Sequence, residues 1–299
     1  MNRTGSAIQR IRILSVMNKL CTVTLLTSKD LGEAFHLSTQ AGWNQTEADW
    51  VRLLELNPET CFLFHHNNKV VGSATLATYD SELAWIGMII VDIDFRGMGI
   101  GKQALETVIH ESRKRGFKCT GLDATDQGRL LYKKYGFYDV HPIDRWSGSL
   151  QSLQHHDAAH LLEHKHLNEL LQLDFRWRGL DRSGLIRRFF SEETVQGIGL
   201  TRNRALRGFA FLRPGRQYQH LGPLAAETIE DFADLLNATA RILNDKPVYI
   251  DALRRQESAD LLTRHGLRVE RRLTRMTLDE PCSVLDTPEI HAAAAFEWG

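Results

Sequence analysis

At 299 residues the chain is long for one domain, and two units of about 130 to 150 residues are the natural division. Thirty-seven basic and 37 acidic side chains cancel, so no global field points to nucleic acid or to a basic partner. No apolar run nears the ~20 residues of a membrane span, and four scattered cysteines (Cys21, Cys61, Cys119, Cys282) without a C-x-x-C pair read as reduced thiols of a cytoplasmic protein.

Residues 1–20 are basic but lack a long apolar core and a small-residue cleavage site, so they read as an extension rather than a targeting segment. A strand is predicted over 22–27 and a helix over 31–40, stopping at Ala41-Gly42. A second helix over 46–56 puts Trp50, Leu53 and Leu54 on its apolar side. Thr46-x-x-Asp49 gives it a capping pattern, and Asn57-Pro58 ends it. Residues 61–64 and 70–79 read as a hairpin about a turn at 65–69.

Residues 84–93 are almost unbroken apolar sequence, as in a strand covered on both faces. The turn Arg96-Gly97-Met98-Gly99-Ile100-Gly101 follows, then an amphipathic helix carrying Ala104, Leu105, Val108 and Ile109. Glycines let the backbone approach a ligand, and the helix start aims unpaired N–H groups and positive dipole at it. The expected guest is an anion such as a pyrophosphate. A P-loop would need Lys-Ser/Thr, but Lys102 precedes Gln103; a dinucleotide fingerprint would need its third glycine at position 102. What fits is Arg-x-x-Gly-x-Gly (Arg96, Gly99, Gly101) after a strand. It resembles the coenzyme A motif of the GCN5-related N-acetyltransferase (GNAT) family.

Further strands are predicted at 118–124 and 137–140, around a helix at 127–135. The order β-α-α-β-β-β-α-β-α-β over about 22–141 resembles the family's fold, a mixed α/β sheet. Turn formers and polar residues at 142–148 suggest a boundary. Beyond it lie a Leu- and His-rich start at 157–174, strands at 195–201, 206–213 and 219–224, and a helix at 229–243. A strand at 248–253, a helix at 257–264 and a strand at 267–278 complete this half. Leu122-Asp123-Ala124 before a helix ending Tyr135-Gly136-Phe137 is echoed by Ile250-Asp251-Ala252 before one ending His265-Gly266-Leu267. A tandem of related folds is expected, although strand–helix–glycine–strand units are common. The second copy, at His220-Leu221-Gly222-Pro223, has no Arg-x-x-Gly-x-Gly and should not bind coenzyme A in the same way.

The arrangement resembles two-domain bacterial members of the family with a degenerate second domain. Gly222-Pro223-Leu224 and the run Ala294-Ala295-Phe296-Glu297-x-Gly299 add to the likeness. It implies an extension at 1–20, an acetyl-CoA-binding domain at 21–145 and a degenerate domain at 146–299. It also implies that Gly97, Met98, Gly99, Ile100, Gly101 and Lys102 hold the pyrophosphate through backbone N–H groups, with Arg96 adding charge. Ile89, Ile90 and Val91 would pair with the pantetheine arm, and an N–H there would polarise the thioester. Tyr132, four residues before Gly136, would be the acid that protonates the leaving thiolate; otherwise it is a core aromatic. Thr125 stands where the family often has an asparagine on the pantetheine.

No base is evident. The strand positions that often carry Glu or His hold Trp85, Ile86 and Gly87. Asp80, Glu82, Asp92, Asp123 and Asp126 are nearby carboxylates, each readable as a cap or a solvated residue. Trp43, Glu82 and Asp123 are candidate substrate contacts, with the Trp50 helix lining the site; Trp43 reads equally as core. Arg176-Trp177-Arg178 is either an exposed helix end or a face turned to the cleft. His156, His160 and His164 would share a helix face, but with no companion cysteine a solvated linker is the plainer reading, and no metal is expected. The alternating arginines of 268–275 suggest a basic outer strand face too small for nucleic acid. The expectation is acetyl transfer from acetyl-CoA to a primary amine of a small molecule, with no nucleic-acid or membrane partner. The alternatives are an acyl-CoA-binding regulator and a protein N-acetyltransferase.

Overall fold

Strand by strand, the apolar runs assemble into one mixed sheet in the computed structural model, which describes residues 20–153, 159–280, 282 and 287–299. Residues 1–19 of the expected extension, and His155, His156 and Asp157, lie outside the described residues. The first half runs β1 (Thr22–Leu25), α1 (Leu31–Gln40), α2 (Glu47–Leu56), β2 (Cys61–His66), β3 (Lys69–Tyr79), β4 (Leu83–Val91), α3 (Ile100–Arg115), β5 (Cys119–Ala124), α4 (Asp126–Lys133) and β6 (Phe137–Ser149). The second runs β7 (Ala159–Leu161), α5 (Leu167–Arg178), α6 (Ser183–Phe190), β8 (Gln196–Arg202), β9 (Ala205–Arg213), β10 (Gln219–Ala226), α7 (Ile229–Leu243), β11 (Pro247–Leu253), α8 (Gln256–Arg264), β12 (Arg268–Leu278) and β13 (Ile290–Ala292).

Local chemistry sets the helix ends. Asp49 accepts from the Thr46 N–H at 2.7 Å and from its hydroxyl at 2.8 Å, the capping pattern that starts α2. Gly99 (φ 88°) and Gly116 (φ 72°) bracket α3 in left-handed conformations that favour glycine. Between them Ala104, Leu105, Val108 and Ile109 are buried against the sheet.

The sheet's strand order is β1-β2-β3-β4-β5-β12-β6-β11-β13-β10-β9-β8-β7. Strand β5 is therefore flanked by β12 of the second half, and β11 by β6 of the first. Each half completes its sheet with the other's last long strand. On those borrowed strands Arg275 stands opposite Asp123 and Arg145 opposite Asp251. Arg275 grips both oxygens of Asp123 (3.0 and 3.1 Å), and Arg145 both oxygens of Asp251 (2.7 and 2.8 Å). The Asp-Ala echo in the sequence thus marks two equivalent buried ion pairs. Each arginine also lies over an aromatic ring, Arg275 on Trp85 and Arg145 on Tyr249.

Several expectations need correction. Residues 142–148 are the interior of β6, paired with β12 on one side and β11 on the other. Pro142 sits beside the register shift at 139–141 in the β6–β12 pairing, the kind of irregularity where a residue without an N–H is tolerated, and its carbonyl accepts from Arg254 N at 3.0 Å. The division expected between 145 and 146 falls inside this strand. The single start read over 157–174 is β7 followed by α5; α6, amphipathic but only eight residues long, and the three-residue β13 were not read from the sequence. Of the triplet only Arg176 is exposed: Trp177 stacks on Phe209, the buried Arg178 donates to Gly299 O at 2.8 Å, and none of the three lines the cleft. Arg275 is fully buried, so the arginine stretch is not a uniform outer face. Cys119 and Cys282 are joined in a disulfide rather than free: they are 163 residues apart, but β12 returns the chain beside β5 and brings their Cα atoms to 6.1 Å. Cys21 and Cys61 remain thiols in the core.

Candidate functional site

Strands β4 and β5 run parallel and pair only at Leu83–Cys119, Ala84–Thr120 and Trp85–Gly121. Beyond that point they part. The Trp85 ring lies against Gly121 so closely that a Cβ there would meet it at 2.3 Å. On the other edge of β4, Ser73 pairs with Ile90 and Thr75 with Gly87, so Met88 and Ile89 form a bulge opposite Ala74. Met88 takes φ 49°, and the Ser73 hydroxyl donates to its carbonyl at 2.8 Å. A bulge re-aims the backbone of its strand, here toward the split.

A cavity of about 220 Å³ occupies the split. Ile86, Gly87, Met88 and Ile89 form one wall, and Leu122, Asp123, Thr125 and Tyr132 the other. Trp43 and Gln45 enter from the segment between α1 and α2. Arg145, Arg271 and Leu273 come from the exchanged strands, and Phe296 and Glu297 from the segment after β13. Both halves therefore shape it.

Past β4 the glycine turn is exposed, with Gly97 at φ 80° and Gly99 at φ 88°. The first hydrogen bond of α3 runs from Gln103 N to Gly99 O at 3.1 Å, which leaves the N–H groups of Ile100, Gly101 and Lys102 open at the helix start. This cradle suits a pyrophosphate. The exposed Arg96 side chain donates to Val91 O at 3.3 Å, and Lys102 sits 3.8 Å from Glu106. Asp92 is tied to Lys69, Gln40 and Asp94 N; the Lys69 contact helps hold its carboxyl below the usual carboxylate range, against burial, the largest single influence. It braces the turn.

Tyr132 packs against Phe137 and reaches the cavity, and burial raises its hydroxyl above the ordinary tyrosine value. Tyr135 instead donates to Glu106 at 3.0 Å on the surface. Thr125 lines the cavity while its hydroxyl accepts from Gly128 N at 3.2 Å, capping α4. Trp43 lines the cavity, whereas Trp50 is wholly buried and is not among the lining residues. Asp123 lines it with both oxygens held by Arg275. Glu82 is not among the lining residues and accepts from Lys118 at 2.6 Å. His160 lies on β7 and His164 in a short turn before α5, so these two do not share a helix face; the ring neighbour of His160 is His166, 5.0 Å away.

Gln45, Arg145, Arg271, Phe296 and Glu297 line the cavity without having been candidates in the sequence. Glu297 is buried, accepts from Gln45 Nε2 at 3.0 Å, and is pushed up to about 7 by burial, with Asp49 adding repulsion. Its sole signal was the Ala-Ala-Phe-Glu run, which carries no periodicity. Among the described residues no group of three or more His, Cys, Asp or Glu is gathered as for a metal, and no helix is long and apolar enough to cross a membrane.

Comparison with known proteins agrees with this geometry. Residues 28–137 match the profile of the acetyltransferase (GNAT) family, and residues 170–290 that of a second acetyltransferase (GNAT) domain. The chain is 26% identical over 213 residues to the holothin acyltransferase of a Pseudoalteromonas strain, covering 70% of this chain and 71% of that one. It is 23% identical over 207 residues to an uncharacterized N-acetyltransferase of Bacillus subtilis, covering 68% and 72%. Its fold is shared with a candidate acetyltransferase from Pyrococcus horikoshii (TM-score 0.80, 18% identity, 95% and 98% covered). It is also shared with a tandem GNAT protein of the clavulanic acid biosynthesis pathway (TM-score 0.64, 14% identity, 88% and 100% covered).

Proposed function

This chain belongs to the acetyltransferase (GNAT) family in both of its halves and is an acetyl-CoA-dependent N-acetyltransferase, and we propose that it acetylates the primary amine of a small molecule in the split of the first half. The two halves meet along the shared strand β6, and only the first holds acetyl-CoA. The N–H groups at 97–102 hold the pyrophosphate, Arg96 adds charge, and the backbone of Ile89, Ile90 and Val91 pairs with the pantetheine arm. The co-substrate supplies the activated acetyl group; the chain orients it and moves protons.

The observation that carries the small-molecule reading is the roof over the cavity. Arg145, Arg271, Phe296 and Glu297 close its acceptor side, and the space of about 220 Å³ is below the roughly 300–1,000 Å³ of drug-sized sites. A protein acceptor would call for an open groove. Tyr132, whose hydroxyl has no hydrogen-bond partner among the described residues, donates its proton to the departing sulfur. Trp43 packs against the acceptor.

A thiol-release assay across a panel of primary amines tests this. Tyr132→Phe should lower kcat about 10²-fold while leaving acetyl-CoA affinity unchanged. If coenzyme A binds but no amine raises thiol release, and Tyr132→Phe changes nothing, the transferase reading is wrong.

A further inference from the structure

Strand β4 offers no acid or base to the cavity, yet a carboxylate stands beside it. Gly87 is where a side chain would begin, and a Cβ there would lie 2.8 Å from Glu297 Cα and 3.0 Å from its Cβ. The backbone at 297 thus lies directly on the strand. Three hydrogen bonds fix it: Trp85 Nε1 to Phe296 O (2.8 Å), Tyr79 OH to Trp298 O (2.6 Å) and Arg178 Nη2 to Gly299 O (2.8 Å). The Phe296 ring adds a contact under the Arg145 guanidinium, 4.4 Å away.

Asp123 and Glu297 are the two carboxylates lining the cavity, and Asp123 is consumed by Arg275. Glu297 is held by the neutral amide of Gln45 instead. We propose that Glu297 is the catalytic base of the acetyl transfer, delivered by residues 293–299 to the place that Gly87 leaves vacant on β4. The inference rests on the transferase reading of this cavity.

The groups facing Glu297 come from every surrounding element: Asp49 and Arg52 on α2, Tyr79 on β3, Arg145 on β6, Arg213 on β9 and His220 on β10. Burial and Asp49 favour its neutral form, while Arg213 and Gln45 favour the anion. A base balanced near working pH is the best compromise between basicity and availability.

The Glu297 carboxylate takes one proton from the acceptor's ammonium group. The freed lone pair forms the C–N bond to the thioester carbonyl carbon, and the C–S bond breaks. The sulfur takes the Tyr132 proton, and the phenolate recovers one from the nitrogen as the amide forms. Glu297 then releases its proton to solvent. Ammonium and thioester give amide, thiol and one proton.

The test uses the full chain, acetyl-CoA and the amine panel. Glu297→Gln should lower kcat about 10²- to 10³-fold, with acetyl-CoA affinity intact by calorimetry. It should also abolish the acid limb of the kcat/KM–pH profile near pH 7. Gln45→Leu removes a donor that favours the anion, so the acid limb should move to higher pH; this variant decides the matter if Glu297→Gln does not fold. A Glu297→Gln enzyme within about threefold of wild type, or an acid limb unmoved by Gln45→Leu, overturns the assignment. No amine-dependent thiol release by wild type overturns the transferase reading and this inference with it.

Discussion

Between β4 and β5, and again between β10 and β11, two parallel strands pair briefly and then part. The first pair holds register for three residues and opens onto the cavity; the second holds it at Gln219–Val248 and His220–Tyr249 and then receives β13. Ala292 of β13 pairs with Leu224 on one side and Ala252 on the other, so the chain itself fills the second split. The helices differ in the same sense. Helix α3 starts from open N–H groups after a glycine turn, whereas Thr228 caps α7 by accepting from Asp231 N at 3.1 Å. Glu230 in the first turn of α7 adds negative charge that would repel a phosphate, and Asp231 beside it is paired with Arg202. One fold can thus keep its strand exchange and lose its ligand site by filling the split and reversing the charge at the helix start. The segment that fills the second split runs on to furnish the first.

The sharpest way to probe that shared architecture is through its two ion pairs. Asp123→Asn leaves Arg275 buried without a counter-charge, and Asp251→Asn does the same to Arg145. Each should cost about 3–5 kcal/mol in urea denaturation. A cost below about 1 kcal/mol for either would break the equivalence of the halves.

A smaller effect separates the splits by pH. Glu297 is raised from its ordinary 4.5 to about 7, so its neutral form is favoured by folding: that stability is complete below about 4.5 and is lost as pH rises through 7. His291 on β13, stacked on Phe232, is lowered by burial to about 4; its contribution is complete above 6.5 and is lost as pH falls through 4. Thermal melts from pH 4 to 9 should therefore show Glu297→Gln flattening the alkaline decline and His291→Gln the acid one. Interchanged or absent effects would show that the two groups do not feel these environments.

Much of the first half was legible because its signals are local. The glycine turn, the apolar run of β4, the capping residues of α2 and the paired Asp-Ala segments each show within a dozen residues of sequence. What stayed hidden depends on contacts across the chain. The exchange of β6 and β12 has no local mark, so turn formers at 142–148 suggested a boundary where the sheet is continuous. The disulfide of Cys119 and Cys282 comes from the same exchange. Glu297 was missed because the vacancy at Gly87 and the residue that fills it are 210 positions apart. Asp123 was readable as a candidate, but nothing in its neighbours announces Arg275.

The central claim is that the first split alone is equipped for the co-substrate. Calorimetric titration of the full chain with coenzyme A tests it most directly, run beside Gly99→Asp, which sets a carboxylate and a strained left-handed backbone at the open N–H groups of α3. The account predicts one molecule bound per chain, and none in the variant whose circular dichroism matches wild type. Two molecules per chain, or binding that survives Gly99→Asp, would contradict it.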